Sequence, residues 1–276
     1  MEIDWEKLWS DARKESAQSK YRKDVVEGRW DITAEDYRDS IQRNDYEYGR
    51  NVIDVIKDFI EPDFEVLDIG AGPGTLTIPI ARLVNKVTVV DPSKGMIKVL
   101  EESAAATGIE NIETINKSWQ EIDDAKIREK FDLVITSNVL WQFDDVGEQL
   151  MRMHKATRKY CLHSVGAGST NGGVDSDIWF EIMNKEYPNL RVDYIYICNI
   201  LHSKGIHANI KIIDSSHVIE KSVNDAIGFY EYRYDLYTEI TPRVRELIKD
   251  YVLKNAVNGI YRRESKGKMA VIWWEK

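Results

Sequence analysis

Cysteine is scarce in this chain of 276 residues: there are two, Cys161 and Cys198. Two thiols cannot build a disulfide framework or a cysteine-rich zinc site. They form either one bridge or a pair of buried thiols in a reducing cytoplasm. The five histidines, His154, His163, His202, His207 and His217, fall in no His-Glu-x-x-His run and make no Cys/His pair, so no metal is expected. Each reads as a surface or packed side chain, with His202, in an expected loop, the most available as a base. Long apolar runs are also missing. A charge-free stretch such as Leu133 to Phe143 is far short of the ~18–20 residues that cross a bilayer. The opening MEIDWEKLW has neither the basic nor the apolar region of a signal peptide, so a cytoplasmic protein without a membrane partner is expected. Positive charge is in short supply, with 38 Lys and Arg against 47 Asp and Glu and a net charge of −9. Phosphate backbones need cationic neutralisation, so no nucleic-acid partner is expected.

What is present is an ordinary soluble balance, 43% hydrophobic and 31% charged, in a length that suits one sizeable core with a cap. A polar, helix-favouring segment comes first. Trp5, Leu8, Trp9 and Ala12 recur at helical spacing, and Asn51 is placed to cap a helix through Ile60 before Glu61-Pro62 breaks it. From Phe64 short apolar runs alternate with helical patterns. Strands are expected at 65–70, 86–91, 112–116, 131–137 and 160–166, with helices between them. That alternation is the mark of βαβ units and a parallel sheet with helices on both faces. Beyond a loop at 167–173 the pattern weakens. Helices are expected over 175–187, 222–236 and 243–253, the last with Thr241 as N-cap and Pro242 at its first position, and strands over 206–213 and 268–276. The charged run Arg262 to Lys268 reads as a solvated loop.

The sharpest signal is Val66-Leu67-Asp68-Ile69-Gly70-Ala71-Gly72-Pro73-Gly74-Thr75, which leaves a strand and enters a helix. Glycine permits the tight turn and lets a ligand approach the backbone. A dinucleotide fingerprint is G-x-G-x-x-G. Here the third glycine comes one residue early, and Asp68 stands before the first. A carboxylate there repels a pyrophosphate and suits an ammonium group. Asp91 follows Gly70 by twenty-one residues, at the end of the second strand, where it can accept hydrogen bonds from a ribose diol or cap the next helix.

These segments resemble those of class I S-adenosylmethionine-dependent methyltransferases. The family's first motif is an acidic residue followed by G-x-G-x-G. Asp91-Pro92-Ser93-x-x-Met96 is similar to its D-x-S-x-x-M run, and Phe131 to Trp141 is similar to its fourth-strand segment. The resemblance covers about residues 50–165. It implies a doubly wound, mainly parallel seven-stranded sheet whose last strand is antiparallel. It further implies a helical N-terminal extension or lid over 1–62 and a methyltransferase domain over 63–276 with a substrate cap at about 214–262.

By the same resemblance the cofactor is S-adenosyl-L-methionine, leaving as S-adenosyl-L-homocysteine. Its binding residues would be Asp68, Gly70, Ala71, Gly72, Asp91, Pro92, Met96, Ser118, Trp119, Ser137 and Tyr37. Ser118 stands where the family often has an acidic residue, and Trp119 either stacks on the purine or buries itself under the third helix. Tyr230, Tyr234 and Tyr237 share a helical face, which lines a substrate chamber or docks the cap. Methyl transfer is an in-line displacement and requires no protein nucleophile, and no catalytic residue is assigned. The expected acceptor is a small molecule. Two rivals remain, a nicotinamide-dependent oxidoreductase and a non-catalytic S-adenosylmethionine-binding regulator.

Overall fold

The computed structural model describes residues 3–22, 28–168, 176–188 and 193–276. The expected loop at 167–173 lies, from 169 on, outside them, as does Asp175. Three helices lead: α1 (Trp5–Glu15), α2 (Arg29–Arg43) and α3 (Glu47–Ile56). Then come β1 (Glu65–Ile69), α4 (Thr77–Ala81), β2 (Lys86–Val90), α5 (Lys94–Ala106), β3 (Ile112–Ile115), α6 (Asp124–Ile127), β4 (Phe131–Ser137), α7 (Val146–Ala156) and β5 (Thr157–Ala167). The remainder holds α8 (Trp179–Met183), α9 (Tyr194–Ser203), β6 (Asn209–Ser222), α10 (Val223–Tyr234), α11 (Pro242–Asn255), β7 (Ala256–Val257) and β8 (Ile260–Glu275).

The sheet runs β3-β2-β1-β4-β5-β8-β6, with the short β7 paired to β8 beside that path. The strands from β3 through β5 are mutually parallel, and β8 is antiparallel to both β5 and β6. This is the mainly parallel, doubly wound sheet expected, its last strand reversed. Helices cover both faces, which explains why β1, β2 and β4 are buried almost without a break. Successive side chains serve opposite faces: Leu67, Val134 and Trp274 pack with Trp9 and Leu150, whereas Val66, Leu133 and Val271 pack with Val52 and Ile56. The thiols of Cys161, buried, and Cys198, half-buried, are free.

Several boundaries differ from expectation for physical reasons. Asn51 lies inside α3 rather than capping it, because the helix begins four residues earlier, where Gly49 packs against the turn after β1. Arg262 to Lys268 is not a loop. It lies in the first half of β8, paired with Glu220 to Asp214 of β6. Its inward positions are Tyr261, Arg263 and Ser265, and Arg263 is neutralised by Asp177 at 2.6 Å. His202 lies in the last turn of α9, not in a loop. Tyr230, Tyr234 and Tyr237 are buried in a separate cluster with Trp179, Ile248 and Tyr261, so they form packing rather than a chamber wall.

A Cβ placed on Gly49 would lie 1.9 Å from the Thr75 carbonyl oxygen, whereas the nearest atoms to one on Gly147 are those of the Glu6 carboxylate. Gly49→Ala should therefore cost about 1–3 kcal/mol through overpacking against backbone. Gly147→Ala should cost less than that, because the Glu6 side chain can swing away. Calorimetric melting compares the two, and equal transition temperatures would contradict the assigned contact.

Candidate cofactor and acceptor site

The parallel strands β1, β2 and β4 end at one edge, and a cavity of about 400 Å³ opens there. Ligands in open α/β sheets sit outside such carboxyl ends. All eleven residues expected to hold the cofactor line this one cavity: Tyr37, Asp68, Gly70, Ala71, Gly72, Asp91, Pro92, Met96, Ser118, Trp119 and Ser137.

The turn after β1 is built on left-handed backbone. Gly70, Gly72 and Gly74 have φ of +67°, +55° and +93°. A Cβ on Gly70 would strike Val139 at 2.5 Å, while one on Gly72 would meet no protein atom within 4 Å. Gly72 thus leaves open space, as a cradle for a closely approaching ligand requires. Asp91 fixes this turn from the neighbouring strand. Its carboxylate accepts from the Gly72 amide and from the Ser93 amide, both at 2.9 Å. Burial raises its pKa, and these two donors oppose the rise. Each carboxylate oxygen retains a lone pair for a hydroxyl donor.

Asp68 is 2% exposed and accepts one hydrogen bond, from the Thr77 hydroxyl at 2.6 Å. Desolvation pushes its pKa up to about 7, and the negative charge of Asp91 adds to the rise. Among the described residues the carboxylate thus has no cation paired with it.

The first turn of α5 forms the adjacent wall. Ser93 caps it by accepting from the Met96 amide at 3.0 Å, and Met96 is buried. Trp119 is also buried and lines the cavity, while the Arg152 guanidinium lies 4.1 Å from its ring centroid. The ring is thus packed within the core while also bordering the cavity. Ser118 heads a short capping box, its hydroxyl and amide both donating to Glu121. At the end of β4, Ser137 hydrogen-bonds Tyr48 at 3.0 Å, and Tyr48 donates to the Ser164 hydroxyl at 2.8 Å. Burial pushes the Tyr48 phenol up to about 12, so it stays protonated at neutral pH.

Sequence reasoning missed Thr77, whose place nine residues after Asp68 puts it at the start of α4. It also missed Asp31. From α2, Asp31 accepts from the Ser93 hydroxyl at 2.7 Å and the Gly95 amide at 2.6 Å, so it caps α5 from another element. Its charge at a helix N-terminus is favourable, and its pKa falls. Nothing local in the sequence signals a cap supplied from sixty-two residues away. Among the described residues no group of three or more His, Cys, Asp or Glu side chains gathers as a metal site requires. No helix is long and apolar enough to cross a membrane among those residues.

Residues 66–159 match the family model described as a methyltransferase domain. An uncharacterised protein of Haemophilus influenzae is 27% identical over 251 residues, covering 89% of this chain and 88% of that one. A ribosomal protein L11 methyltransferase of Caldicellulosiruptor bescii is 32% identical over 108 residues, covering 39% of this chain and 32% of its own. The chain thus spans most of the first relative and about a third of the second. In fold it is similar to a SAM-dependent methyltransferase of Thermotoga maritima, with a TM-score of 0.51 and 15% identity over 90% of this chain and 99% of that one.

The buried Asp68 generates a pH prediction. An unfolded carboxyl titrates near 3.8 and the folded one near 7. Between those values the folded state binds more protons, so the contribution of Asp68 to stability falls as pH rises toward 7 and stays unfavourable above it. Asp68→Asn should therefore gain stability relative to the parent on going from pH 5 to pH 8, by on the order of 2–4 kcal/mol. Urea unfolding at both pH values measures this, and a pH-independent difference would contradict it.

Proposed function

We propose that this chain, an S-adenosylmethionine-dependent methyltransferase of class I by its domain and fold, methylates a small molecule enclosed beside the cofactor. The observation that carries the reading is the convergence of all eleven expected residues on one cavity whose charged lining, among the described residues, is the pair Asp68 and Asp91. That lining fits S-adenosylmethionine. Asp68 lies under the turn and suits the ligand's ammonium, directly or through water. Asp91 suits the ribose hydroxyls, and Met96 and Trp119 offer apolar surface to the base. A nicotinamide dinucleotide fits poorly, because its diphosphate would meet two carboxylates and no Lys or Arg of the described lining.

When bound, the cofactor supplies an electrophilic methyl group together with its own leaving group. The protein's task is then to align the acceptor and keep water out. In this reading residues 1–62 act as a lid and residues 214–262 as a cap. The lid supplies Trp30 and Tyr37 to the cavity wall. It is tied to the cap where the Arg29 guanidinium donates to the Tyr232 carbonyl at 2.7 Å and stacks 3.8 Å from that ring. A covered cavity and a net charge of −9 favour a small acceptor over a nucleic acid. Slow formation of S-adenosylhomocysteine with a metabolite panel separates the enzyme from a non-catalytic regulator.

S-Adenosylmethionine and S-adenosylhomocysteine should raise the melting temperature, whereas NAD and NADP should not. Ligand at ~100 times its dissociation constant adds about 2.7 kcal/mol. A shift with NADH and none with S-adenosylmethionine would overturn the assignment. Gly72→Ala should cost only about 1–2 kcal/mol of stability, from its left-handed φ. It should nevertheless weaken S-adenosylhomocysteine binding at least ten-fold, because the new methyl enters the open cradle. Unchanged affinity by calorimetry would make the turn merely structural. Asp91→Ala should lose about 1–3 kcal/mol of cofactor binding in the same assay.

A further inference from the structure

The lining beyond the expected cofactor residues also carries chemical information. It includes Asn138, Trp141 and Gln142 after β4, and Trp30 and Tyr48 from the N-terminal helices. These are rings and neutral amides. Trp141 spends its indole N–H on the Asn138 carbonyl at 2.8 Å, so it offers the cavity mainly ring surface. The Tyr48 hydroxyl is spent between Ser137 and Ser164. No Lys, Arg or His lines the cavity among the described residues.

The geometry points to a flat, uncharged acceptor that presents a neutral nitrogen, such as that of an azole or an aryl amine. This deepens the methyltransferase reading and rests on it. An acceptor carboxylate or phosphate would lose its hydration beside Asp68 and Asp91 with no cation to replace it. In this reading the two carboxylates are already matched by the donor's ammonium and ribose hydroxyls, so neither is left to pair with a charged acceptor. Rings favour a flat partner, and their faces favour the positive charge that develops on it.

The lining selects the nucleophile too. A phenol must lose a proton to react. Tyr48 is not a base at neutral pH, and both carboxylates of the lining are engaged, Asp68 by the Thr77 hydroxyl and Asp91 by the Gly72 and Ser93 amides, besides the cofactor groups they hold in this reading. A neutral nitrogen needs no proton removed first. Its lone pair forms the N–C bond as the C–S bond breaks and that pair stays on sulfur. The positive charge passes to nitrogen, and any proton there leaves to water.

Benzimidazole, 2-naphthol and benzoate, flat probes that differ in charge and nucleophile, test the inference at pH 7.5. On protein saturated with S-adenosylhomocysteine, calorimetry should show benzimidazole binding at least ten-fold tighter than benzoate. Gln142→Lys, which adds a cation to the wall, should narrow or reverse that ratio. With S-adenosylmethionine, benzimidazole should be methylated faster than 2-naphthol, as read by mass spectrometry of the products. Benzoate binding as tightly as benzimidazole, or naphthol methylation at an equal or greater rate, would overturn the inference. Failure of S-adenosylhomocysteine itself to bind the parent protein would instead overturn the cofactor reading beneath it.

Discussion

The arrangement at the sheet edge depends on one carboxylate. Asp91 receives the Gly72 amide with one oxygen and the Ser93 amide with the other. The first bond holds the turn after β1 in its left-handed form, and the second sets the entry to α5. Two loops from neighbouring parallel strands are thus locked to each other through a single side chain at 6% exposure. Parallel strands in register bring their ends to one level, so the sheet itself supplies the closeness. Without that bond, two amides at the cavity edge would need other partners, and the open face of Gly72 would have no fixed direction.

A second carboxylate extends the same logic to the N-terminal helices. Asp31 joins α2 to the first turn of α5, next to the residues that Asp91 holds. The approach is close enough that a Cβ on Gly95 would lie 2.7 Å from the Asp31 Cα. Two residues earlier, Arg29 fastens the start of α2 to Tyr232 of α10. One helix therefore touches the cofactor-side wall at one point and the C-terminal helices at another. Movement of α2 cannot leave either contact unchanged, which couples the covering of the cavity to the packing of α10.

How much of this was legible in the sequence follows from how locally each feature is determined. Strands buried on both faces must be nearly all apolar, so β1, β2 and β4 announce themselves, and the Gly-rich turn carries its spacing in plain sight. Asp68 and Asp91 could be read because they stand at strand ends beside that turn. The upper half of β8 could not be read. Its inward position 263 is an arginine whose partner, Asp177, lies eighty-six residues away. Asp31 was invisible for the same reason. The tyrosines of α10 showed their shared face, but only the third core cluster decides between packing and chamber.

The two carboxylates also show why this edge is a site rather than a piece of core. Asp68 is as buried as the isoleucines around it, yet among the described residues the hydrogen bond it accepts comes from an uncharged hydroxyl. Keeping it ionised in the ligand-free protein costs on the order of 4 kcal/mol, the equivalent of moving its titration from 3.8 to about 7. An apolar residue at this position would avoid that cost. A cationic group placed against Asp68 recovers it, so the strain becomes affinity for a ligand of one charge sign. Asp91 is raised too, but its two amide donors limit the effect and leave it suited to hydroxyl donors rather than a cation. Two aspartates at the ends of adjacent strands thus acquire different preferences from their hydrogen bonds alone, and the glycine between them in the turn sets how near a ligand can come to either.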